Sequence, residues 1–169
     1  MAYEAPSLVV KDVTEITAEG HNIIVNDVLD HETRILTTEA VWTAFTPTLT
    51  QSGAVAKTTD YARYVQFGKT VIGSVKLTAS AAGTAANPVL VGLPVAARAG
   101  VGATVLGSAF FYDASTSVMY VLSAAYKSTT SVSFYHDTGG GSDFGRSGAT
   151  AITIASGDTV SMLFHYEAA

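Results

Sequence analysis

A narrow apolar stripe near the N-terminus stops where a different periodicity begins, and this change of period constrains the fold more than any other feature. Ile24, Val28, His31, Ile35, Thr38 and Trp42 are spaced alternately by four and three residues, which places them on the d and a positions of a heptad. A helix packed on its own globule usually carries a wider stripe, whereas an a/d stripe suits the seam of a coiled coil. From Trp42 onward the period is two. Val71, Gly73, Val75, Leu77 and Ala79 alternate with Ile72, Ser74, Lys76 and Thr78, and Val160, Met162, Phe164 and Tyr166 alternate with Ser161, Leu163 and His165. This is the pattern of half-buried strands.

The expected organisation has three parts. Residues 1–16 read as an extended arm, since Pro6 disfavours helix. Residues 17–40 read as a trimerising helix. Thr17 is placed to cap its first amides, and Glu19 sits in the first turn, where the helix dipole favours an acid. Gly20 weakens this start by about 1 kcal/mol relative to alanine. A helix of this length is marginal alone in water, so association must stabilise it. Val25, Leu29 and Leu36 widen the stripe, which fits three strands better than two, or a helix lying on the following domain. The proposed trimer seam is Ile24, Val28, His31, Ile35 and Trp42. His31 either sets register at some cost in stability or brings three imidazoles round an axis, where they would bind an ion or respond to pH. Trp42 either caps that axis or anchors the first strand.

Residues 41–169 read as a mainly β head, an antiparallel jelly-roll-like sandwich. Strands are expected near 42–50, 61–67, 70–80, 88–95, 103–112, 118–126, 131–136, 150–154 and 159–166, with turns at 67–69, 113–115, 139–141 and 156–158. Pro88 and Pro94 flank a short strand and place it at a sheet edge.

Charge is sparse and uneven. Only 14% of residues are charged, against about 25% in ordinary soluble domains. Residues 1–42 carry eight acids and two bases, and residues 43–169 carry six acids and seven bases, giving the net charge of −5. Between Thr70 and Tyr112 the charges are Lys76 and Arg98. Either a Ser/Thr/Ala surface is polar without charge, or this region is buried against sister chains. No basic stripe invites nucleic acid, no apolar run is long enough for membrane insertion, and the first residues, with Glu4, do not read as a signal peptide. With no cysteine, a disulfide framework and a thiolate metal site are excluded.

Candidate chemistry is thin. His136, Asp137, Asp158 and His165 invite a catalytic reading, but no nucleophile elbow and no zinc-binding spacing accompanies them, and the acids of the head are isolated along the chain. No catalytic residue, cofactor or metal is expected. Gly139 to Gly145 lacks the lysine of a phosphate loop and reads first as a mobile loop. Its functional reading is an exposed tip from which Asp143, Phe144 and Arg146 contact a sugar. Tyr112, Tyr120, Tyr126 and Tyr135 would suit a carbohydrate groove or simply reflect β-propensity.

Four segments carry a resemblance. They are Trp42-Thr43-Ala44-Phe45-Thr46-Pro47-Thr48-Leu49, Ala62-Arg63-Tyr64 through Gly68-Lys69-Thr70-Val71, Gly92-Leu93-Pro94-Val95-Ala96-Ala97, and Tyr166-Glu167-Ala168-Ala169. In this order they resemble the β-rich head domains of tailed-bacteriophage virion proteins, of the minor tail protein or tail-fibre head type found in phages of actinobacteria. Ile16-Thr17-Ala18-Glu19, Asn22 and Asn26-Asp27-Val28-Leu29 resemble the helical lead-in of that family, from which Gly20-His21 departs. The resemblance implies a non-enzymatic homotrimer in the virion, assembled in the host cytoplasm. Residues 1–16 would dock on other virion proteins of tail or capsid. One expectation is a tail-tip appendage that binds host cell-surface carbohydrate. The other is a capsid decoration protein or head fibre.

Overall fold

The computed structural model describes residues 41–100, 104–136, 143–146 and 151–169. The arm, the helix and the seam residues Ile24, Val28, His31 and Ile35 lie outside the described residues. Those described belong to one compact unit, Ala40–Ala169, and it is mainly β. Ten strands run in chain order: β1 (Thr43–Ala44), β2 (Leu49–Gln51), β3 (Gly53–Ala54), β4 (Lys57–Phe67), β5 (Thr70–Ala79), β6 (Leu90–Gly92), β7 (Val105–Asp113), β8 (Val118–Ser128), β9 (Ser131–His136) and β10 (Thr159–Glu167). They form one antiparallel sheet in the order β1-β4-β5-β10-β7-β8-β9-β6-β2-β3.

The connections show that this sheet is curled. β3 ends the ladder on one side, yet only Val55 and Ala56 separate it from β4, the second strand from the other side. The segment 45–48 likewise joins β1 to β2 across the sheet. A chain spans at most about 3.5 Å per residue, so the two ends of the ladder must lie close together. The enclosed side is filled by the alternate positions that the period of two assigned to it: Val71, Val75 and Leu77 of β5, Val160, Met162 and Phe164 of β10, with Phe111, Leu122 and Phe134 opposite.

Local sequence explains the turns. Phe67 pairs with Thr70, and the intervening Gly68 has φ of 56°, as the first central position of a type II′ hairpin requires. The Asp113 carboxylate accepts hydrogen bonds from the amides of Ser115 (2.9 Å) and Thr116 (3.2 Å) and from the Ser115 hydroxyl (2.6 Å), closing the β7–β8 turn. At Gly107, β7 comes so close to β10 that a side chain would strike the Leu163 carbonyl.

Three sequence expectations need correction. The strand expected at 42–50 divides into β1 and β2, because Pro47 offers no amide to a ladder. The strand between Pro88 and Pro94 is not at an edge. β6 pairs with both β9 and β2, because it is only three residues long and both prolines fall outside the ladder. The strand expected at 150–154 does not appear over the described residues 151–154. The carbonyl of Ile152 and the amide of Ile154 are instead bonded by the buried Gln51 side chain, at 2.7 and 2.9 Å. The glutamine amide thus stands where a neighbouring peptide would be.

The C-terminal end of β10 fastens another crossing. The Tyr166 hydroxyl donates to the Val95 carbonyl (2.7 Å) and accepts from the Val95 amide (3.3 Å). Burial pushes this phenol up to about 12 from 10. Its folded value lies above its unfolded value, so the stability it contributes is complete below pH 10 and drains away between pH 10 and 12. Tyr166→Phe is expected to cost about 1–2 kcal/mol near neutral pH. In urea unfolding at stepped pH, the advantage of the wild type over this variant should shrink above pH 10. An advantage that stays constant to pH 12 would contradict the burial argument.

Candidate functional site

The segment 143–146 is placed by backbone bonds on both sides. The Phe144 amide donates to the Phe134 carbonyl (2.6 Å), and its carbonyl accepts from the Val89 amide (3.0 Å). This turns the Phe144 ring inward, where it is 0% exposed and packs on Phe111 and Tyr120 at centroid distances of 5.1 and 5.4 Å. Asp143 is buried beside it, and Oδ2 accepts from Lys127 Nζ at 2.8 Å. Burial pushes the Asp143 carboxyl up, but the Lys127 ammonium and the Ser133 and Tyr135 hydroxyls outweigh it and hold the group below the usual carboxylate range. Asp143 Oδ1 and Ser133 Oγ complete no hydrogen bond of good geometry. Of the three residues expected at an exposed tip, only Arg146 faces solvent. Asp143 and Phe144 hold the loop down and cannot reach a sugar from this position.

Of the residues that invited catalysis, Asp137 lies outside the described residues, and Asp158, His165 and His136 have different surroundings. Both oxygens of the buried Asp158 are taken by backbone amides, Ala114 at 2.9 Å and Ala155 at 2.8 Å, so it closes a turn. His165 lies exposed on β10, and His136 packs edge-on against Tyr120. Tyr120 and Tyr126 pack against the core, so the four tyrosines do not line one groove. Among the described residues, no group of three or more histidine, cysteine or acidic side chains is placed to hold a metal ion, and no helix is long and apolar enough to cross a membrane.

The outer side of the sheet carries the feature that the sequence reading missed. Trp42, Ile72, Leu163, Phe110, Val121 and Met119 are 50, 41, 62, 43, 64 and 61% exposed. The register joins them. Ile72 pairs with His165 and Leu163 with Ser74, Phe110 pairs with Ser161 on one side and with Val121 on the other. A diagonal apolar stripe therefore crosses β5, β10, β7 and β8. It is bordered by the hydroxyls of Ser74, Ser108 and Ser161, which with Phe110 and Leu163 line an open depression of about 240 Å3. A second depression, of about 330 Å3, lies between Trp42, Ile72, Leu163 and His165. On these four strands, Lys76, His165 and Glu167 lie at the margins of the stripe, and no charge interrupts it. The signal was legible in principle. Met162-Leu163-Phe164, Phe110-Phe111 and Val118 to Leu122 are apolar in both parities, so those strands have apolar residues on both faces.

The four segments singled out in the sequence meet at one end of the sheet. The Phe45 amide donates to the Ala62 carbonyl (3.2 Å), and its ring packs edge-on against Tyr64 at 5.7 Å. The Gly92 amide donates to the Thr48 carbonyl (3.0 Å). Ala97 pairs with Ala168, and the Ala168 amide donates to the Lys69 carbonyl (2.6 Å). Comparison with known protein families, with curated proteins and with solved structures finds no match.

Proposed function

We propose that this chain is a non-enzymatic structural protein of a tailed-phage virion, a homotrimeric surface appendage with a jelly-roll-like head. One observation carries this reading. The four segments behind the resemblance are far apart in sequence yet bonded to one another where the curled sheet closes. Such residues build a head rather than a reaction centre, and the resemblance then concerns an architecture. The sparse charge of the outer sheet face agrees with an assembled particle, where interface centres exclude charge.

Two placements follow. A tail-tip adhesin needs a sugar site, and the burial of Asp143 and Phe144 removes two of its three candidate residues. This favours the second placement, a capsid decoration protein or head fibre docked through residues 1–16, with the head as a stabilising knob. The full chain is expected to scatter light as three copies. Val28→Asp or Ile35→Asp is expected to drive it toward one copy on dilution, because the carboxylate would be buried along the seam. A wild-type chain that stays single at every concentration would sink the trimer. Copy number in purified particles separates the placements: a few copies indicate the tail, and many indicate the shell.

A further inference from the structure

We propose that the apolar stripe across β5, β10, β7 and β8 packs against sister copies of this chain, so that the heads themselves form part of the trimer contact. The inference rests on the trimer reading and adds a second surface to it.

The size of the stripe is the first argument. Its six side chains expose roughly 600 Å2, at the upper end of the largest apolar patch on an ordinary monomer and a large part of the ~800 Å2 that each partner contributes to a stable contact. Its position is the second. Trp42 belongs to the heptad stripe of the sequence and also lines the depression with Ile72 and Leu163. A seam that includes Trp42 is continued on the head by Ile72 and Leu163, and after them by Phe110, Val121 and Met119. A narrow stripe lining an axis touches both neighbours at once, which a broad patch is not needed to do.

The chemistry is the third argument. Identical faces placed round an axis repel if they carry charge there, and this stripe carries none between its margins. A sugar would ask for several carboxylate, amide or guanidinium partners beside the rings. The depressions are lined by serine hydroxyls and His165, and the one guanidinium among the described residues in register with them, Arg63 opposite Ser74, lies over the Tyr61 ring.

The test uses the full chain. Leu163→Lys and Val121→Lys alter exposed side chains outside the core, so the fold should survive, as circular dichroism would show. Each is expected to weaken the trimer about tenfold or more by light scattering on dilution, the effect of burying an unpaired charge in a contact. A wild-type trimer whose dissociation is unchanged in both variants overturns the stripe and leaves the trimer reading standing. A wild-type chain that is single at all concentrations overturns both. Since the chain has no cysteine, Leu163→Cys supplies a single thiol as an independent measure. Its reaction with a maleimide is expected to be at least about tenfold slower than that of Ser80→Cys, which is exposed away from the stripe. Equal rates in the trimer would overturn the proposal, and would leave the stripe to a sugar or to another virion protein.

Discussion

Phe144→Ala is expected to lower the stability of the head by about 3–5 kcal/mol, the cost of removing a fully buried aromatic ring from a packed site. The ring fills the space between Phe111 and Tyr120, and its own backbone is tied to Phe134 and Val89. Those backbone bonds keep the neighbours from collapsing into the space, which argues for the upper part of the range. In urea the midpoint should fall with little change in slope. Phe144→Leu should lose much less. Arg146→Ala, two residues away on the exposed side, should stay within about 0.5 kcal/mol of the wild type. An unchanged midpoint for Phe144→Ala would mean that the segment 143–146 is not docked, and would restore the exposed-tip reading with its sugar site.

Gln51→Met is expected to cost about 3 kcal/mol or more, although methionine keeps the length and the apolar stem. The side chain is 0% exposed, and its amide group makes three bonds: Nε2 donates to the carbonyls of Ile152 (2.7 Å) and Asn87 (3.1 Å), and Oε1 accepts from the Ile154 amide (2.9 Å). The substitution strips partners from a buried amide and two part-buried carbonyls, each worth about 1–3 kcal/mol where water cannot replace them. Gln51→Glu tests the same site by a different route. Its buried carboxyl would titrate above its unfolded value, since it would face two carbonyls and little water. The variant should therefore lose stability as pH rises above about 4, where the unfolded chain releases that proton and the folded one does not. A flat pH profile for Gln51→Glu would show that water reaches this position.

The strands were legible because their apolar residues alternate and their turns carry glycine, aspartate or serine. β5, β9 and β10 lie within a residue of where periodicity places them, and β7 and β8 within two. What escaped depended on partners distant in sequence. Nothing near Ile154 shows that a glutamine about a hundred residues earlier will take its amide. Nothing near Pro88 shows that β6 will be short enough to pair on both sides. Phe144 sits in a glycine-rich stretch whose composition reads as loop, and only its contact with Phe111 and Tyr120 reveals a core residue. The stripe was overlooked for another reason. Alternation marks the buried face, and apolar residues of the opposite parity look the same in sequence whether they face water or a partner.

The position of β10 in the sheet also bears on how the protein is made. Its residues 159–167 lie between β5, about ninety residues earlier, and β7. During synthesis β5 emerges early and then waits, with one edge unpaired, until the ribosome has released the sequence that completes it. Separations of this kind slow folding, and an open edge invites the wrong neighbour in the interval. If copies assemble as proposed, bringing identical nascent chains together too soon would favour tangling over assembly, and each head would have to close before copies meet.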